Sequence, residues 1–219
     1  MESWYEYIFK HHGNNEYALE IKDTLQRQEI KVEEIEIDTD HGVWVPGKLM
    51  FPQEATEETG IPIISLSTLK TTRENTASNV RLGKVIQKLG NKGYVIITLS
   101  MLVHNLDLSK AARTIQNLQK FYCSNNILKP HFEADFTEQV ERLLTNENNE
   151  ERVHVIVGYQ NGTNADFNYS HPTLKHFSPF LVFLGTATNN DKAVVYPTNG
   201  FTPGISYANF KYAAVQTNH

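Results

Sequence analysis

At 219 residues the chain is long enough for one α/β domain with a sizeable core. Charge is mixed, with a formal net charge of -5 and no basic block to attract nucleic acid, and no apolar run is long enough to span a membrane. Cys123 is the only cysteine, which excludes an internal disulfide and fits a reducing, cytoplasmic setting; no basic start with a following apolar stretch marks a secretory signal.

Residues 1–9 carry Trp4, Tyr5, Tyr7 and Phe9, a cluster that needs something to pack against. His11-His12-Gly13-Asn14-Asn15 reads as a turn, and residues 16–28 have helical spacing through Tyr17, Ile21 and Leu25. Residues 31–38 set Val32, Ile35 and Ile37 among acids and read as a strand; residues 42–50 read as a short helix bent near Pro46. A polar loop over 53–60 precedes an apolar strand over 62–67. Leu82, Val85, Ile86 and Leu89 mark one face of a helix that Gly90 and Gly93 terminate. Residues 94–99 are β-branched and continuous, as in a strand covered on both faces.

Helices are expected over 109–122 and 132–144, a charged loop over 146–152, and a strand, by composition, over 153–159. Leu174, Phe177, Leu181 and Leu184 share a helical face, with Pro172 near its start, a kink at Pro179 and Gly185 just past its end. Residues 193–196 and 205–212 read as closing strands. Strands alternating with helices, with no repeat and no linker, point to a single α/β domain over 1–219 with a largely covered sheet.

Three histidine-bearing junctions lie beside expected element ends. They are Asp40-His41-Gly42-Val43-Trp44-Val45-Pro46, Val103-His104-Asn105-Leu106 and His171-Pro172-Thr173-Leu174-Lys175-His176-Phe177. On spacing alone each histidine has a plainer reading, a cap or a partner for a carbonyl. In order along the chain, however, these segments resemble the class III extradiol ring-cleavage dioxygenases, in their LigB-like, 4,5-DOPA dioxygenase branch. Tyr5-Glu6-Tyr7, Lys48-Leu49-Met50-Phe51-Pro52, Ile61-Pro62-Ile63-Ile64-Ser65-Leu66-Ser67, Leu82-Gly83-Lys84 and Gly204-Ile205-Ser206-Tyr207 extend the likeness.

The resemblance implies a three-layer α/β fold, with a mixed, mostly parallel sheet and helices on both faces. It implies cleavage of a catechol-type, DOPA-like ring with dioxygen at a non-haem metal, Fe(II) or Zn(II), held on one side by three protein groups. In that pattern His176 is a metal ligand, His104 the acid/base and His41 a second imidazole that orients substrate or oxygen. Asp40, Tyr5 and Asn105 lie against the substrate. Histidine suits the proton-moving roles because its ordinary pKa is near neutrality. His171 and His176 are five positions apart, which on one helix turns them roughly 140° from each other. The family pattern selects His176, and Pro172 puts His171 just before the helix in a structural or capping role.

The family's other two metal ligands are histidines on two earlier strands, and this chain is expected to begin after both. His11-His12-Gly13 has no apolar strand before it and does not replace them. A three-histidine zinc set of His41, His104 and His176 is an alternative. Without those strands, residues 63–66 or 94–99 would present an unpaired apolar edge open to self-association. Three functions follow: a dioxygenase, a non-catalytic interaction protein derived from that family, or a composite site completed by another chain.

Overall fold

The computed structural model describes residues 11–35, 41–51, 60–70, 72, 75–111, 131–146, 148–159, 164–189, 191–196 and 204–214. The chain divides into two compact units, Met1–Ser67 and Thr68–His219.

In the first unit, α1 (Asn15–Gln26) starts where the sequence supplies a cap: Asn14 is extended and its side chain accepts from the Tyr17 N–H at 3.0 Å. Ile21 and Leu25, one turn apart, form its buried face. The helix ends as Glu29 enters the left-handed region at φ 57°, which lets the Ile30 N–H return to the Leu25 carbonyl at 3.1 Å and buries Ile30. Helix α2 (His41–Met50) contains Pro46, as expected, and Lys48 lies 4.8 Å over the Trp44 ring one turn earlier. Of the strands expected over 31–38 and 62–67, the described residues 31–35 and 62–67 join no ladder among the described residues. One backbone bond, from Ile63 N–H to the His12 carbonyl at 2.9 Å, ties the second of these to the histidine turn.

The second unit holds the main core. Helix α3 (Ala77–Ile86) buries Val80, Leu82, Val85 and Ile86 and runs into a 3-10 helix (Gln87–Lys92) that buries Leu89. Gly93, left-handed at φ 90°, closes it, the conformation glycine adopts without a Cβ penalty. Residues 106–111 are helical; α4 (His131–Asn146), α5 (Asn149–Tyr159), α6 (Ala165–Ser170) and α7 (Ser178–Thr186) follow. Strands β1 (Asp191–Tyr196) and β2 (Asn209–Ala214) pair antiparallel, with Asp191 opposite Ala214 and Tyr196 opposite Asn209.

Helices α3 and α7 cross backbone to backbone. A Cβ on Gly83 would strike the Val182 carbonyl oxygen, and one on Gly185 would strike that of Val80. Around this crossing Phe136, Val140, Leu144, Ile156, Phe167 and Leu184 are sealed from water. Each buried side chain of this kind contributes about 1.5–3 kcal/mol relative to exposure. Asn79, completely buried, grips Leu69 by accepting from its N–H at 2.9 Å and donating to its carbonyl at 3.1 Å. The amide thereby does for residue 69 what a neighbouring strand would.

Four expectations are corrected. Residues 153–159 are helical, not a strand: Asn148 accepts from the Glu151 N–H at 2.9 Å, Glu150 and Glu151 favour the helix start, and Arg152 and Ile156 form its buried side one turn apart. Of residues 146–152, expected as a loop, Asn146 ends α4 and residues 149–152 form the start of α5. The late helix begins at Ser178, so Pro179 lies in its first turn, where no N–H is needed, and produces no kink; Gly185 is inside the helix. Residues 94–99 are extended but in no ladder among the described residues, and Val95, Ile97 and Leu99 are 85%, 56% and 45% exposed rather than covered. The only ladder among the described residues is antiparallel, and the architecture they show is a mixed α/β fold with many helices and a small sheet. No described helix is long and apolar enough to cross a membrane.

Candidate active site

Two of the histidine-bearing segments run side by side in the second unit. His104 N–H donates to the Ser170 carbonyl at 3.0 Å, and the Asn105 side chain donates to the Tyr169 carbonyl at 2.7 Å. At the other end, Met101 N–H and the Ser100 hydroxyl both donate to the His176 carbonyl, at 3.0 and 2.6 Å. From the opposite side, residues 204–206 close on the same segment. Ile205 bridges His104, Asn105 N–H donates to the Gly204 carbonyl at 2.7 Å, and Ser206 N–H to that of Val103 at 3.1 Å. Gly204 has φ 80°, and a Cβ there would strike the Asn105 carbonyl oxygen, so glycine is what permits the approach.

The product of this lacing is a pair of imidazoles. The rings of His104 and His176 stack with centroids 3.6 Å apart and planes 23° from parallel. His104 is half-buried and His176 exposed. The His176 imidazole is held below the ordinary histidine value, first by burial of its inner part and then by repulsion from His104 and Lys175. It is thereby biased to the neutral form, whose lone pair can bind a divalent metal or accept a proton.

His171 lies elsewhere. It caps the end of α6, before Pro172 as expected, and is completely buried. Phe136, Phe167 and Phe177 surround it, at ring-centroid distances of 5.7, 5.0 and 4.6 Å. Asn105, expected against substrate, engages both ends of its amide: besides the Tyr169 bond it accepts from the Leu108 N–H at 3.2 Å, capping the helical stretch 106–111. His41 opens α2 in the first unit, while Asp40 and Tyr5 lie outside the described residues. The contributions of Ser100 and Ser170 are missed by sequence reading, since one acts through a hydroxyl at an irregular bend and the other through its backbone. Gly204 was legible as part of a closing strand, without its role as the permissive contact.

Among the described residues no three of His, Cys, Asp and Glu converge closely enough to enclose a metal ion. His176 and His104 are two imidazoles, so a non-haem centre at His176 needs donors beyond the described residues.

Residues 2–208 match the family model described as the catalytic LigB subunit of aromatic ring-opening dioxygenase, and the chain belongs to this family. Among its relatives is a 4,5-DOPA dioxygenase extradiol from Beta vulgaris, 27% identical over 215 residues, which cover 96% of this chain and 70% of the relative. A 4,5-DOPA dioxygenase extradiol-like protein from Schizosaccharomyces pombe is 26% identical over 195 residues, 87% of this chain. The chain spans 58% of the length of that second relative. The crystal structure of an uncharacterized protein from Escherichia coli K12 matches with a TM-score of 0.66 at 22% identity, covering 96% of this chain and 76% of the other, which shows a shared fold.

Proposed function

We propose that this chain carries the proton-moving part and one metal ligand of an extradiol dioxygenase site acting on a catechol-type, DOPA-like substrate. The observation that carries the reading is the stack of His104 on His176 at 3.6 Å, built by two segments far apart in sequence. In this reading His176 offers a neutral imidazole to a divalent metal, Fe(II) or Zn(II), which when bound supplies a positive site for the catecholate and dioxygen. His104, within ring contact of His176, accepts the catechol proton at its free ring nitrogen and later returns it. Asn105 holds His104 in place through its two side-chain bonds. The family resemblance alone assigns His41, Asp40 and Tyr5 to the substrate. A cytoplasmic setting fits the single cysteine.

The test is metal content and oxygen uptake of the purified chain, loaded with Fe(II) or Zn(II) and offered dihydroxyphenylalanine. His104→Ala is expected to keep the metal and lose uptake, whereas His176→Ala loses the metal. Metal retained in full by the His176 variant refutes the ligand assignment.

A second reading is a non-catalytic interaction protein derived from the family. It is favoured by the exposed row Val95, Ile97 and Leu99, which offers an edge for self-association. A folded protein that takes up no metal and sediments as a dimer at micromolar concentration supports it; a metal-loaded monomer that consumes oxygen excludes it.

A further inference from the structure

Three aromatic rings enclose His171, a setting that does not by itself call for a polar ring. Burying a polar ring costs about 1–3 kcal/mol when its N–H goes unused. The use is visible: the Nε2 of the fully buried His171 faces the Met101 carbonyl oxygen at 3.4 Å, long for a hydrogen bond but partly shielded from water. A carbonyl only accepts, so Nε2 is the protonated nitrogen. Met101 is also the residue whose N–H holds the His176 carbonyl at 3.0 Å. The peptide unit that His171 touches is therefore next to the one that anchors His176, and three residues before His104.

We propose that His171 is the positioning residue of the His104–His176 pair: from within the aromatic core its ring fixes Met101, and Met101 fixes the backbone of His176. Tyr169, Ser170 and His171 then act in succession on Asn105, His104 and Met101, so that one end of α6 sets three points along the segment that carries His104. The functional meaning of this placement rests on the dioxygenase reading, but the placement itself does not, and the experiment separates the two.

The variant is His171→Phe, which keeps a ring in the cage and removes the N–H. In imidazole-labelled protein the wild type is expected to show a nuclear Overhauser contact between the rings of His104 and His176. The variant is expected to lose that contact and to exchange its Met101 amide hydrogen about tenfold faster, while its thermal midpoint and near-UV spectrum stay close to wild type. His171→Gln, with an amide N–H of its own, is expected to recover part of both signals. An unchanged ring contact and an unchanged Met101 exchange rate in His171→Phe overturn the proposal. A measurement on the unaltered protein guards against a variant that fails to fold: long-range nitrogen–proton correlation must show His171 as the Nε2–H tautomer, and an Nδ1–H tautomer overturns the proposal by itself. Loss of the ring contact in His171→Phe, together with a wild type that binds no metal, upholds the positioning role and sinks only the dioxygenase reading.

Discussion

The crossing of α3 and α7 gives the sharpest energetic expectation. Gly83→Ala would put a Cβ 2.8 Å from the Gly185 Cα and against the Val182 carbonyl. Carbon atoms in contact ordinarily sit about 3.5–4.0 Å apart, so the helices must part by roughly 1 Å, and a gap of that size forfeits a quarter to a half of each dispersion contact across it. The obstacle is backbone on both sides and cannot swing away, which places the cost near the upper end of the overpacking range, about 3 kcal/mol. Alanine returns about 1 kcal/mol of helix propensity. The net expectation is destabilisation by about 2 kcal/mol, read as a lowered urea midpoint at unchanged slope. Gly185→Ala meets the mirror obstacle at the Val80 carbonyl and is expected to cost a similar amount. Once the helices have parted, the second methyl meets less resistance, so the double variant should cost clearly less than the sum of the singles. A single variant as stable as wild type, or more so, refutes the crossing as described, because propensity would then have outweighed the collision.

Phe167, fully buried against Phe136, His171 and Phe177, is expected to cost about 3–5 kcal/mol when cut to alanine, measured by the same denaturation. Gly204→Ala forces a non-glycine residue to φ 80°, worth about 1–2 kcal/mol before its collision with Asn105; hydrogen exchange should quicken at the Asn105 and Ser206 amides and nowhere in α3. The lowered His176 value means that, in the window just below the ordinary value of 6.5, the unfolded chain binds more protons than the folded one. Stability should therefore fall as pH drops through that window and stay level above it, and His176→Gln should flatten that part of the urea-midpoint profile; a profile that rises on acidification there contradicts the sign.

What the sequence discloses depends on how local the cause is. Helix α1 is legible because its cap, Asn14, and its buried pair, Ile21 and Leu25, sit within one stretch. Gly93 is legible as a stop for the same reason. Residues 153–159 mislead because Val153, Val155 and Val157 have strand-forming side chains, and the cap that decides the matter, Asn148, lies several residues upstream. The apolar spacing from Leu174 to Leu184 suggests one helix, but Pro179 has no N–H for the carbonyl four residues back and belongs in a first turn, so the helix starts at Ser178. Residues 94–99 have the composition of a covered strand, yet a ladder needs a partner, and no local pattern states whether one is present. At the site, the pairing of His104 with His176 follows from the family resemblance. The means of pairing them does not, because it is carried by the carbonyls of Tyr169, Ser170 and His176, which any residue possesses.

The stripe of Val95, Ile97 and Leu99 also bears on how this polypeptide keeps company with water. Sulfate and phosphate are excluded from protein surfaces and make every exposed methyl group less welcome in solution. The chain should leave solution at low ammonium sulfate and stay dispersed best in dilute, chaotropic buffer. Residues that read plainly as interior thus stand among those that such salts would drive out of water.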